Sequence, residues 1–141
     1  MKKGKTLEVK LHSWLKDLTI YHQRFFDSAS QGLIGAARPA DYWVWFDGKL
    51  IFIECKETQE KSLSFNNIRS SQWKACKEAE TNNIIYLFLI EIQKELYIVR
   101  GKLLLKWAKH SSKKSINYNI IADLGDLTSN KADLKAFLQD M

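Results

Sequence analysis

Two runs, Tyr42-Trp43-Val44-Trp45-Phe46 and Leu50-Ile51-Phe52-Ile53, flank Asp47-Gly48 and constrain the fold more than any other feature of the chain. Aromatic and β-branched residues favour strands, and Asp-Gly supplies two residues that tolerate the positive φ of a tight hairpin turn. The expected element is an antiparallel hairpin. A two-residue turn sets Phe46 opposite Lys49, and the register follows by counting. Trp45 faces Leu50, Val44 faces Ile51, Trp43 faces Phe52 and Tyr42 faces Ile53. One step further, Asp41 falls opposite Glu54. Opposed residues have Cβ atoms about 4.5–5.5 Å apart on one face of the sheet, and Lys56, two residues beyond Glu54, points to that same face.

Two carboxylates so placed repel each other. Either one is protonated or a cation sits between them. Oxygen ligands favour a hard cation such as Mg²⁺, which takes one or two carboxylates together with water and substrate phosphate oxygens. A lysine beside it can hold a phosphate, steady a hydroxide or help the leaving group. The arrangement suits metal-assisted phosphodiester hydrolysis. The alternative is a sheet rim carrying an Asp–Lys–Glu salt-bridge cluster without chemistry.

Size and charge narrow the choice. At 141 residues, with 45% hydrophobic and 12% aromatic content, the chain is expected to form one domain, residues 1–141, with a real core. No apolar run approaches the length of a membrane span, and the basic Met1–Lys5 segment is not followed by the apolar stretch of a signal peptide. Cys55 and Cys76 lack the spacing of a zinc site or disulfide framework, so a reducing cytoplasm is expected, that of a host cell if the chain is phage-encoded. The net charge of +6 fits a polyanionic partner, nucleic acid first. The lysines are scattered and form no basic tail.

Along the chain, Leu7, Leu11, Trp14, Leu15 and Leu18 predict a helix from Thr6 to about Tyr21. The small residues of 28–38 predict a loop leading to Pro39. After the hairpin, 57–63 reads as a loop. Asn66 or Asn67 is placed to cap a helix running to about Glu80. Ile84–Ile92 and Leu96–Val99 read as strands joined tightly, Leu103–Lys109 as a helix, Ser111–Ser115 as a basic loop, Tyr118–Ala122 as an edge strand and Asn130–Gln139 as a closing helix. Central strands apolar on both faces call for helices on both sides of the sheet. The expected fold class is α/β, a sandwich with a central mixed sheet flanked by helices.

Pro39-Ala40-Asp41 together with Glu54-Cys55-Lys56 resembles the motif of the PD-(D/E)XK nuclease superfamily, with one residue inserted between Pro and Asp. Most of the chain is similar to small Holliday-junction resolvases of the archaeal, phage and RecU type. Glu8 matches a glutamate on the first helix, Arg24 an arginine before the small-residue loop, Ser28 or Ser30 a serine within it, and Gln72 a glutamine on the helix after the E-x-K strand. Glu57-Thr58 and Leu103-Leu104-Leu105 are also RecU-like. The segment between first helix and motif strand, about Gln23 to Arg38, is shorter than the protruding segment of RecU.

The resemblance implies a restriction-endonuclease-like fold and a metal-dependent endodeoxyribonuclease acting on four-way junctions in DNA recombination and repair. It implies that Asp41, Glu54 and the Cys55 carbonyl oxygen bind Mg²⁺, with Mn²⁺ as a substitute, and that Glu8 completes the site or orients a water. Lys56 would stabilise the attacking hydroxide and the transition state, and Gln72 would position Lys56 or the scissile phosphate. Lys3, Lys5, Arg24, Ser28, Ser30, Arg38 and Arg69 are the expected DNA contacts. The partners implied are branched DNA and a second copy of the chain in a homodimer, with no membrane. A restriction-type or repair nuclease acting on duplex, and a non-catalytic DNA-binding module of the same fold, are the alternatives. His12, His22 and His110 are dispersed and read as surface or packed residues. Trp43 and Trp45 read as core packing rather than base stacking, Cys76 as core, and Lys113-Lys114 as solvated.

Overall fold

The computed structural model describes residues 5–26 and 38–141. Helix α1, Lys5–Asp17, buries Leu7, Leu11 and Leu15 along one face. It stops four residues short of the expected end. The Ile20 N–H bonds back to the Leu15 carbonyl and the Thr19 N–H to Lys16, with Thr19 at φ 57°. This is the 6→1 and 5→2 pattern of a Schellman cap, closed by apolar contact between Ile20 and Leu15 in the core. The cap turns the chain into a strand the periodicity had concealed, β1, Tyr21–Arg24, which lies at the edge of the main sheet.

The hairpin has the counted register. Strands β2, Tyr42–Phe46, and β3, Lys49–Thr58, pair antiparallel from Phe46–Lys49 to Tyr42–Ile53. Asp47 at φ 51° and Gly48 at φ 72° form its turn. β3 runs on past the expected boundary to Thr58. Its residues Ile51 to Thr58 pair in parallel with β5, Ile85–Ile92. The crossover between them carries α2, Ser70–Thr81. β5 turns through Gln93 and Lys94, both at positive φ, into antiparallel β6, Glu95–Arg100. With β8, Asp126–Leu127, at the far edge, the sheet order is β1-β2-β3-β5-β6-β8.

Helices cover both faces, as the apolar β5 required. On one face Leu7, Leu11 and Leu15 of α1 and Leu134 and Leu138 of α5, Lys131–Asp140, pack on Val44, Ile51, Ile53, Leu87 and Leu89. On the other, Cys76 of α2, Leu104 of α3, Gly101–His110, and Ile121 of α4, Tyr118–Leu124, pack on Tyr86, Phe88, Ile90 and Val99. Each large side chain taken from water into these layers contributes about 1.5–3 kcal/mol, so the hairpin is held from both sides.

Three expectations are corrected. Tyr118–Ala122 is helical: only Ile121 of that stretch is buried, and the Asn117 side chain accepts from the Ile120 N–H to cap α4. The expected loops at 57–63 and 111–115 instead lead into a small second sheet, β4, Ser62–Ser64, paired with β7, Ser115–Asn117. Asn66 and Asn67 do not cap α2. They belong to a 3₁₀ turn, Phe65–Asn67, itself capped by the Ser64 hydroxyl. Among the described residues no helix is long and apolar enough to cross a membrane.

Candidate active site

Asp41 enters the hairpin one residue before β2. Its carbonyl accepts from the Phe25 N–H at 2.9 Å, and its own N–H donates to the Ile53 carbonyl at 3.1 Å. The expected pairing of Asp41 with Glu54 as the next ladder rung is therefore not kept, because the backbone bond reaches Ile53 rather than Glu54. The side chain fills the gap. Asp41 Oδ2 accepts from the Cys55 N–H at 2.8 Å. The carboxylate thus substitutes for a backbone carbonyl and is clamped to the E-x-K strand. The motif entrance is held from a second side by Tyr86, whose hydroxyl donates to the Pro39 carbonyl at 2.6 Å. Sequence reasoning missed Tyr86, since within the apolar run of β5 nothing distinguishes a tyrosine whose hydroxyl has a positioning task.

Glu54 is only 3% exposed and Asp41 4%. Glu54 Oε2 accepts from Lys56 Nζ at 3.0 Å and from Gln72 Nε2 at 2.6 Å. Gln72 is fixed in turn, because its Oε1 accepts from the Arg69 N–H at 3.0 Å and so joins the first turn of α2 to the pocket. Glu54, Lys56 and Gln72 are thus brought together, with Gln72, expected to position Lys56 or the scissile phosphate, bonded to Glu54. Arg38 Nη2 lies 2.9 Å from Asp41 Oδ1, and Arg24 Nε lies 3.9 Å from Glu8 Oε1. These two arginines, expected against DNA, face the carboxylates of Asp41 and Glu8. For Arg69 the contact recorded is that of its backbone. Lys3, Ser28, Ser30 and the side chain of Lys5 lie outside the described residues.

Electrostatics follow from this crowding. Burial, and then the Asp41 charge, push the Glu54 carboxyl up to about 7 against the lowering pull of Lys56 and Arg38. Burial also raises Glu8, seconded by the charge of Asp41 and a hydrogen bond to it. Burial first, and the neighbouring carboxylate second, thus disfavour the charged forms of Glu54 and Glu8. The Cys55 thiol points into the opposite core, and burial holds its pKa well above the usual value, so it serves packing rather than chemistry.

Donor chemistry was tested against the cation that the motif implies. Among the described residues, no three His, Cys, Asp or Glu side chains are arranged to hold a metal ion by themselves. A hard cation of the Mg²⁺ type asks for less, one or two carboxylates with the rest of its shell from water and phosphate. Glu54 Oε1 and Glu8 Oε1 are buried oxygens with no hydrogen-bond partner. Buried acceptors left without a hydrogen bond are costly, and a cation would satisfy Glu54 Oε1 and supplement the 3.9 Å approach of Arg24 to Glu8 Oε1. The oxygen set fits such an ion, and the absence of nearby thiolate or imidazole ligands speaks against a softer one.

Other candidates divide. Trp45 is 51% exposed, contrary to the core expectation, while Trp43 is partly buried with its ring centroid 5.5 Å from that of Tyr21. His12 and His22 hydrogen-bond each other at 2.8 Å, a pairing invisible in sequence because β1 was not foreseen. Cys76 is core, as expected.

Residues 18–138 match the model of the family described as RecU, Recombination protein U, which is well over half of the chain. No curated protein matches it by sequence. Among solved structures, the fold is similar to that of Hjc, a Holliday junction resolvase from the archaeal hyperthermophile Archaeoglobus fulgidus. The TM-score is 0.60 at 16% identity, over 86% of this chain and 93% of that one.

Proposed function

Because the chain belongs to the RecU family of recombination proteins, we propose that it resolves four-way DNA junctions by divalent-metal-dependent phosphodiester hydrolysis. One observation carries the reading: in a chain of this family, Asp41, Glu54, Lys56 and Gln72 converge in a single cluster beside Glu8. A salt-bridged sheet rim does not require two buried carboxylate oxygens that, among the described residues, accept no hydrogen bond. The fold shared with a solved Holliday junction resolvase supports the same reading.

Asp41, Glu54 and the Cys55 carbonyl would hold Mg²⁺, or Mn²⁺ in its place, with Glu8 completing the set. The bound cation supplies Lewis-acid polarisation of the scissile phosphate and favours ionisation of the attacking water. The chain's own residues do the rest. Lys56 turns its ammonium from Glu54 to a non-bridging phosphate oxygen, where negative charge grows as water attacks phosphorus and the P–O bond breaks. Gln72 keeps Glu54 and Lys56 in one rotameric arrangement, so little reorganisation remains at the moment of reaction. Glu8 orients the attacking water. Arg24 and Arg38 offset pocket charge until the cation and phosphate arrive, then face the DNA. A homodimer would present two such pockets to two strands.

The test is to incubate the protein with a labelled immobile four-way junction, with Mg²⁺ or with a chelator, and to map the cuts. Mg²⁺-dependent nicks near the branch point are expected. Nicking of linear duplex at equal efficiency would replace the resolvase with a general nuclease, and no nicking under any divalent cation would leave only a DNA-binding module.

A further inference from the structure

A second basic feature lies outside the pocket. Between α2 and α3 runs a groove of about 530 Å³ lined by Lys77, Lys102, Lys106, Lys109 and His110, with Glu80, Thr81 and Leu105. Lys77, Lys102, Lys106, Lys109 and His110 are exposed, and among the described residues none of the four lysines has a carboxylate within ion-pair distance. Glu80, the single acidic lining residue, turns Oε1 back to accept from the Tyr86 N–H. The helix dipole accounts for Lys109 and His110 in the last turn of α3 but not for the rest of the set. Lys102 stands in the first turn of α3, where the helix dipole disfavours a cation, and no acidic residue accompanies it. Lys102 and Lys106 are four apart and Lys106 and Lys109 three apart, which places like charges side by side. Such repulsion, unrelieved within the chain, is relieved by a polyanion.

We propose that this groove binds the phosphate backbone of a DNA duplex arm. Its placement suits that occupant. α2 contributes Gln72 to the pocket at one end and Lys77, Glu80 and Thr81 to the groove at the other, about 7–14 Å further along its axis. The groove therefore lies on the helical layer covering the catalytic face, within one duplex diameter of the pocket. Lys102, Lys106 and Lys109 rise about 6 Å and then about 4.5 Å along α3, and one DNA strand offers a phosphate every 3.4 Å or so of helix axis, so the three ammonium groups can each meet a phosphate. A second copy of the chain is disfavoured as occupant, since two such grooves would bring like charges together.

The inference rests on the junction reading but is tested apart from it. The triple variant Lys102→Gln/Lys106→Gln/Lys109→Gln and its Lys→Arg counterpart are compared with wild type for junction binding in chelator, across a salt series. Three lost phosphate contacts should make the log–log salt slope shallower by about 2.7, from about 0.9 per contact, and weaken binding at least tenfold at low salt. The arginine variant should restore both. An unchanged salt slope, or an arginine variant that fails to restore it, overturns the groove as an arm-binding site, and an unchanged slope is also what an acidic protein occupant would give. Cutting is not read in this experiment, so a failure of the resolvase reading leaves the result interpretable.

Discussion

Glu54 is where the demands of folding and function collide. In the unfolded chain its carboxyl has a pKa near 4.5, and in the fold, without a cation, burial and Asp41 lift it to about 7. Between these values the folded state binds more protons than the unfolded state, so unfolding free energy falls as pH rises through the window. The cost above pH 7 is on the order of 3 kcal/mol for a shift of this size. In chelator, the melting temperature should be highest near pH 5 and decline towards pH 8. Glu54→Gln should flatten most of the decline, and saturating Mg²⁺ should restore wild type at pH 8, since a bound cation stabilises the ionised form. An equally steep decline in the variant would place its origin elsewhere. Lys56 belongs to the same scale but to another property. Its ammonium acts chiefly on charge that develops in the transition state, so Lys56→Ala should lower the cleavage rate by at least a hundredfold while junction affinity changes only a few-fold. Single-turnover rates and anisotropy titrations of the same preparation separate the two. A variant cutting at near wild-type rate would reduce Lys56 to a salt-bridge partner of Glu54.

At the scale of elements, the pocket depends on how α2 and α3 seat on β5. Gly101 opens α3 where a Cβ would meet Cys76 Sγ at 2.6 Å and the Tyr86 carbonyl at 2.9 Å. Backbone cannot yield as a flexible side chain does. Gly101→Ala should therefore cost about 1–3 kcal/mol by overpacking, measured by denaturant unfolding, and should disturb α2, through Cys76, and with it Gln72. A stability equal to wild type would mean that the helices part without cost. The same elements show what could be read in advance. The β2–β3 register was legible because strand periodicity and an Asp-Gly turn leave one solution. It failed one residue later, at Asp41, where a side chain took over a backbone role that counting cannot anticipate. β1 was hidden because Leu18 continues a helical stripe, while the cap at Thr19 depends on a backbone conformation with no glycine to announce it. Tyr118–Ala122 reads as a strand by composition, and only the Asn117 cap and one-sided burial make it α4. Glu54 and Lys56 were legible through the hairpin register and motif spacing, and Gln72 only through the family resemblance. Tyr86 was not, since its function depends on a carbonyl 47 residues away in sequence.

For the whole molecule, the proposed homodimer would make symmetry the decisive property. A net charge of +6 per chain draws the protein to any DNA, and phosphate contacts of that kind carry little sequence information. Discrimination must come from shape: a four-way junction offers two equivalent scissile phosphates related by a two-fold axis, and a homodimer offers two pockets with the same relation. A linear duplex engages one pocket well and strains to reach the second. Junction binding should survive an excess of unlabelled duplex, and its two nicks should fall at nearly symmetric positions in strands of like polarity. A sharper form of the prediction uses mixed dimers. When wild type is mixed with excess Lys56→Ala protein and subunits exchange, most active dimers carry one working pocket. Such dimers should nick one strand and accumulate singly cut junctions, whereas wild type alone should pass quickly to resolved duplex products. The ratio of nicked to resolved DNA on native and denaturing gels reads the outcome. If excess variant merely slows the reaction and leaves that ratio unchanged, each chain works alone, and the paired cut is a matter of chance rebinding rather than of the dimer's geometry.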